Sequence, residues 1–479
     1  MRRGPLALGC AAAALLVAAC TSTTAGTGHG SASTRPSSAR TTASAPPATA
    51  TTTPSAASCT SYAAPDPNRP RMTLDFTIAG DHHTVRGHEK IVFRPDLPIH
   101  ELVFRLTANT APTVAEGNHI VVTAASADHG AGRYTFTRAN AAAGTQGGLL
   151  HIPFGKTVPA GTTVTASIDF TLTLGTNSFD RFGTAGPYVY FGSGEPLLAW
   201  QRRFGWHTEG MIDFPAESAT SEAMDVDLTV VAPARDTVIA SGDPRPAGTG
   251  PTRTWHSTIS TARDVSVAAG PFAVADTTVE GVKLRLGAPN ATVRDALVPE
   301  FRRAIVDLAA RFGPFPFPSL SVARLPAQGG GIEYPSSILM LDGSRMVAVH
   351  ETAHQWFYAV VGDSQALHPW LDEAFAQYAE ELVDGEPSHA EDLSAPGPVD
   401  ASTESYGPDE QRYYFITYAK GSAALEAARQ AAGPARWDAA LRCYAARNAW
   451  RIASPSDLAA ALKRLPAGLA ILEKAGALR

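Results

Sequence analysis

Cysteine is scarce in this chain, with four in 479 residues, at positions 10, 20, 59 and 443. Basic stripes are missing as well. The formal net charge of −6 is mild, so nucleic acid is excluded as an expected partner. No apolar run reaches membrane-spanning length: the stretch from Leu6 to Ala19 falls short of the roughly 20 residues a helix needs to cross a bilayer. Residues 21–57 contain only Thr, Ser, Ala, Gly, Pro, two Arg and one His. With no large apolar side chain they cannot bury enough surface to offset the entropy of ordering. They are expected to form a disordered tether with a reach of about 35 Å.

What stands before the tether is informative. Arg2-Arg3, the apolar run and Val17-Ala18-Ala19-Cys20 read as a lipoprotein signal peptide over residues 1–19, with Cys20 acylated at the head of a tether ending at 57. An ordinary secretory signal with an incidental cysteine is the alternative. Either reading exports the protein, and the first anchors it to the outer face of the cell membrane through Cys20. Cys10 then leaves with the signal and Cys20 carries lipid. Cys59 and Cys443 remain, either as a disulfide between the start of the folded region and a C-terminal helix or as two free thiols.

About 420 residues are left, enough for two or three domains. From Tyr62 to about Gly287 the period is two: Leu74, Phe76 and Ile78 alternate with polar neighbours, as do Leu102, Phe104 and Leu106, then Val164 to Leu174, Met224 to Val230, and Val282, Leu284 and Leu286. Short alternating runs broken by Gly, Pro, Asn and Asp predict an antiparallel β-sandwich domain over 58–288. It contains no catalytic constellation. After Pro289 the period becomes helical, with Leu297, Phe301, Ile305, Leu308 and Phe312 on one stripe and Asn290 or Thr292 as N-cap. Strands at 320–325 and 338–341 follow, with Gly329-Gly330-Gly331 between them, then helices near 411–432, 436–449 and 456–464. The region 289–479 therefore reads as a mixed α and β domain.

Within it lies His350-Glu351-Thr352-Ala353-His354, and eighteen residues separate His354 from Glu373. On a helix, positions i and i+4 lie on one face, so His350 and His354 can aim two imidazoles at a single ion. A catalytic zinc takes three protein ligands and keeps one position open for water, and two His with one Glu is a recognised set. Glu351, one step round the helix, can accept a proton from that water. Met346-Val347-Ala348-Val349 and Trp356-Phe357 make the helix apolar nearly all round. Two histidines and a glutamate are costly in such surroundings unless something binds them. One Zn2+ per chain, held by His350, His354 and Glu373, is the expectation.

Four elements occur in order: Gly330-Gly331-Ile332-Glu333-Tyr334, the His350 to His354 motif, Glu373, and Tyr418-Ala419-Lys420-Gly421. Together they resemble the membrane alanyl aminopeptidase family of gluzincins, which includes aminopeptidase N and leukotriene hydrolase, over roughly residues 70–460. The resemblance implies a saddle-like N-terminal β domain followed by a thermolysin-like α+β metallopeptidase domain. It also implies roles. Glu333 would bind the free α-ammonium of a peptide, Tyr418 would donate a hydrogen bond to the oxyanion, and Gly330 and Gly331 would line the cleft with backbone groups. Glu351 would act as general base.

The sequence departs from the family at Ile332 (for Met), Tyr334 (for Asn), Asp372 (for Asn) and Ala374 (for Gly). The chain ends at Arg479, 61 residues past Tyr418, so the family's large helical C-terminal domain is expected to be absent. The leading expectation is a monomeric, surface-anchored zinc aminopeptidase with peptide substrates. The alternatives are a thermolysin-like endopeptidase, in which Glu333 matters little, and a catalytically degenerate lipoprotein that only binds peptides.

Overall fold

The structure, a computed structural model, describes residues 59–178, 180–216, 220–385 and 389–479. The expected leader, Cys20 and the tether lie outside the described residues. In the first half the two-residue period becomes strands, because alternation puts one face of each against a core. Arg71–Ile78 buries Met72, Leu74, Phe76 and Ile78 and exposes or half-exposes the residues between. It lies in a seven-stranded sheet in the order Arg245–Ala247, Thr252–Ala262, Met224–Pro233, Arg71–Ile78, Thr84–Phe93, Val164–Thr173, His119–Ala127. The pairs are antiparallel except that Arg71–Ile78 and Met224–Pro233 run parallel. Two four-stranded sheets share its apolar core: one is built on Ile99–Arg105 and Leu149–Val158, the other on Tyr188–Gly192 and Ser266–Gly270.

Alternation identifies strands but not their partners, and here the structure differs from expectation. Val282–Ala288, which its pattern assigns to the β domain ending at 288, pairs in parallel with Ser319–Arg324. A two-residue turn, Glu280 at φ 50 and Gly281 at φ 83, joins it to Ala273–Val279 as a hairpin. The five-stranded sheet runs Ala273–Val279, Val282–Ala288, Ser319–Arg324, Ser337–Met340, Gly331–Tyr334. By sheet membership, these two strands belong with the later region. Asn290 caps the helix Ala291–Phe312 by accepting from the Val293 N–H at 3.0 Å. The helix lays Leu297, Phe301 and Ile305 on this sheet and stops at Gly313, whose φ of 114 suits glycine.

The two halves are joined at a close seam. Tyr334, fully buried, reaches the Tyr188–Gly192 strand so closely that a Cβ on Gly192 would lie 1.9 Å from its hydroxyl oxygen. Ser266 Oγ donates to Ser337 Oγ at 2.9 Å across the same seam. The departure from Asn at position 334 thus places an aromatic wedge against the β-rich half. Cys59 and Cys443 form a disulfide with Cα atoms 5.1 Å apart, which ties the first described residue to the helix Pro434–Asn448. Beside it the Ala63 N–H donates to the Ala446 carbonyl at 2.8 Å, and Tyr62 packs edge-on against Trp450.

Candidate metal centre and active site

The helix bearing the two histidines runs Arg345–Ala353. Ser344 caps it, accepting from the Val347 N–H at 3.3 Å. Arg345 pins its first turn between Glu300 at 2.7 Å and Asp384 at 2.8 Å. The apolar flanks predict a helix running on through Trp356-Phe357. Instead it ends at Ala353 with His354 as its cap, and the chain folds back so that Trp356 and Phe357 are buried. Tyr358 completes the reversal at φ 120, a backbone angle that bulky side chains resist by about 1–3 kcal/mol.

His350 and His354 remain on one face, ring centroids 4.9 Å apart. The third candidate ligand comes from the helix Trp370–Asp384, which packs against the first. Glu373 Oε2 is 3.5 Å from the Nε2 of each histidine. Two donors about 2.0–2.1 Å from a tetrahedral zinc lie about 3.3 Å apart, so both Glu373–histidine separations are close to the spacing such an ion imposes, and the three donor atoms all lie within 4.8 Å of one another. The donor chemistry also fits. Glu351, Asp372, Glu373 and Glu380 surround two imidazoles, and all four are buried. That concentration of carboxylates calls for a divalent cation.

Each imidazole is backed by a carboxylate from the same second helix. His354 Nδ1 is 2.6 Å from Asp372 Oδ1 and 3.2 Å from the Phe357 carbonyl. His350 Nδ1 is 3.4 Å from Glu380 Oε2. These partners leave the Nε2 of each ring as the nitrogen that would face a bound ion. Burial pushes His354 down to about 4, with His350 adding to the effect and Glu373 opposing it, so the ring is neutral as a metal ligand must be. At His350 burial acts in the same direction but is outweighed by Glu373 and Glu380, which raise it well above the usual range. Sequence reasoning missed both backing groups. The signal for Glu380 was present, because it lies two helical turns past Glu373 and so shares its face.

Glu351 is 4% exposed and meets Gly331 so closely that a Cβ there would fall 2.4 Å from Glu351 Cγ. Any side chain at 331 would force Glu351 to move. The Gly330 carbonyl accepts from the N–H groups of Leu341 and Asp342 at 2.8 and 2.9 Å, so it closes the hairpin. Glu333 sits on the same strand as Gly331, 5% exposed, with a carboxylate oxygen within 4.8 Å of ligand atoms on His354 and Asp372. Gln355 ties this strand to the metal helix, accepting from the Ser336 N–H at 2.9 Å and donating to the Tyr334 carbonyl at 3.0 Å.

Tyr418 stands across the site with its ring parallel to that of His350, centroids 6.0 Å apart and 7° between planes. It hydrogen-bonds Glu373. Burial and the Glu373 charge hold its hydroxyl far above the normal range, so it stays a donor. The helix expected near 411–432 is in fact three segments. Glu410–Tyr414 and Gly421–Ala432 flank a π-helical stretch, Phe415–Lys420, that carries Tyr418. A wider turn of this kind re-aims a side chain without ending the helix. Gly421 allows the approach of the ligand helix: a Cβ there would lie 2.5 Å from Ala374 Cβ. From the β-rich half, Phe214 packs on Tyr413 with ring centroids 5.1 Å apart, and the Pro215 carbonyl accepts from Tyr414 Oη at 2.6 Å.

Residues 335–474 match the Peptidase family M1 domain. An M1 zinc metallopeptidase from Deinococcus radiodurans has the same fold, with a TM-score of 0.63 at 21% identity, covering 85% of this chain and 92% of that one. A mutant of that enzyme bound to a Tyr-Ser-Ala substrate aligns with a TM-score of 0.63 at 20% identity, covering 85% and 94%. Among curated relatives, Aminopeptidase M1-A of Oryza sativa subsp. japonica is 24% identical over 31% of this chain and 21% of its own length. Aminopeptidase M1 of Arabidopsis thaliana is 23% identical over the same shares. The match to these plant proteins thus spans about a fifth of their length.

Proposed function

We propose that this chain, whose residues 335–474 carry a Peptidase family M1 domain, is a zinc-dependent aminopeptidase that removes N-terminal residues from peptides outside the cytoplasm. The observation that carries the reading is the convergence of His350, His354 and Glu373 on one point, with Glu351, Tyr418 and Glu333 around it. Bound zinc would supply a Lewis acid for the scissile carbonyl and lower the pKa of a water towards about 7.

The chain's own residues do the rest. Glu351 takes the proton from the attacking water and delivers it to the departing amine. Tyr418, held protonated, donates to the oxygen on which negative charge develops. Glu333 offers a fixed carboxylate to the α-ammonium of the substrate, which makes the first peptide bond the one presented. Asp372 and Glu380 hold the two imidazoles in register. The leader-like residues 1–19 and Cys20 support export and lipid anchoring at the outer face of the membrane.

A mixed peptide library, each member also N-acetylated, tests this with and without a chelator. Stepwise shortening from free N-termini, abolished by acetylation and by chelation, is the expected result. Cleavage at internal bonds regardless of acetylation would replace it with an endopeptidase. Stoichiometric zinc with no cleavage would leave a peptide-binding protein.

A further inference from the structure

Four residues past His354, Tyr358 is held at φ 120 and is 7% exposed. Its grip comes from the β-rich half. Arg263 lies in the turn between the strands Thr252–Ala262 and Ser266–Gly270 and is 2% exposed. Its Nε donates to the Tyr358 carbonyl at 2.8 Å, and its two other nitrogens donate to the carbonyls of Ser221 and Arg451, each at 3.0 Å. A planar guanidinium fixed on three carbonyls from three segments has no freedom to follow a moving loop. Gly362 makes room for it: a Cβ there would be 2.2 Å from Arg263 Cζ. The next residue, Asp264, receives a hydrogen bond from the Tyr358 side chain and another from Ser193 Oγ at 2.6 Å.

Only Gln355, Trp356 and Phe357 separate Tyr358 from His354. The Phe357 carbonyl is 3.2 Å from His354 Nδ1, and the Ala359 N–H donates to the His354 carbonyl at 3.0 Å. Both groups flank Tyr358 directly, so a shift of Tyr358 displaces what orients the His354 ring and what closes its backbone.

We propose that Arg263 and Asp264 are positioning residues for His354: by holding Tyr358 in an unfavourable backbone angle, the β-rich half sets the direction of a metal-binding imidazole. This rests on the zinc-site reading above.

The test measures zinc affinity of the full chain by chelator competition, alongside thermal unfolding of the metal-free protein. Arg263→Lys keeps the charge but cannot span three carbonyls. Zinc affinity is expected to fall by about tenfold, with kcat lowered and KM little changed. In a Tyr358→Gly background, where that backbone angle carries no penalty, the same substitution should cost less than about threefold. Unchanged zinc affinity, or an equal loss in both backgrounds, overturns the proposal and makes Arg263 a packing residue. Should Arg263→Lys fail to fold, Asp264→Asn carries the test: weakened zinc binding supports the proposal and unchanged binding overturns it. A parent protein that takes up no zinc defeats the metal-site reading itself, which is a different outcome from parent and variants binding zinc equally.

Discussion

Asp372 Oδ1 lies 2.6 Å from His354 Nδ1, and Asp372 immediately precedes Glu373, whose Oε2 lies 3.5 Å from the other nitrogen of the same ring. One imidazole is therefore held front and back by neighbouring residues of one helix. Asp372→Ala is expected to lower zinc affinity by about 10- to 100-fold. Asp372→Asn, which can still accept a hydrogen bond from Nδ1, should lose less. Chelator competition on the two variants checks the order.

Glu351 and Tyr418 lie on different helical segments, and in the proposed mechanism they have different roles, so they should fail differently. Glu351→Gln is expected to keep stoichiometric zinc while kcat drops by about 10²- to 10⁴-fold. Tyr418→Phe should reduce kcat by about 10²- to 10³-fold with little change in KM, because the lost donor acts on charge that develops only in the transition state. Steady-state kinetics with metal content measured on the same samples separates these outcomes. Equal activity of Glu351→Gln and parent would exclude Glu351 as the base.

Glu333 should discriminate between substrates. Its replacement by Ala is expected to depress kcat/KM on peptides with a free amine by about 10-fold or more, the scale of one buried charge-assisted hydrogen bond. On N-acetylated peptides it should have little effect. A Glu333→Ala variant that treats both classes as the parent does would remove Glu333 from substrate recognition.

Reduction of the Cys59–Cys443 disulfide should destabilise the protein without touching the site. The bridge closes a loop of 384 residues, and loss of such a bond costs about 2–5 kcal/mol. Cys59→Ser is expected to unfold at lower urea and to retain zinc when folded. A non-reducing digest should yield one linked peptide pair containing both cysteines.

Stability should also depend on pH through the β-rich core. Burial, assisted by the charge of Asp264, raises the carboxyl of Glu195 from 4.5 to about 8. Below 4.5 both folded and unfolded chains keep this proton, and between 4.5 and about 8 only the folded one does. This contribution is therefore fully present at acid pH and is lost as pH rises through that window, at about 1.4 kcal/mol per unit for one group. Urea midpoints taken at the two ends should show the parent losing stability and Glu195→Gln losing less.

The parts of the site legible in the sequence are those governed by helical spacing. His350 and His354 stand four apart, Glu373 opens the next apolar helix, and both meet where that periodicity directs. The strands were legible for the same reason, since alternation is local. Whatever depends on a distant partner was not. Nothing in Val282–Ala288 says that it will run parallel to Ser319–Arg324. Nothing in Phe415–Lys420 marks a wider helical turn. The stop after Ala353 arises because burial of Trp356 and Phe357 overrides a pattern that would otherwise continue, and the grip of Arg263 on Tyr358 crosses 95 positions of chain.

The helix Trp370–Asp384 carries Asp372, Glu373 and Glu380 together. Inserting or deleting a single residue between Glu373 and Glu380 would swing Glu380 by about 100° relative to its fellows, casting one imidazole adrift while leaving the other bound. Related chains should thus accept point changes along that rod far more readily than changes in its length.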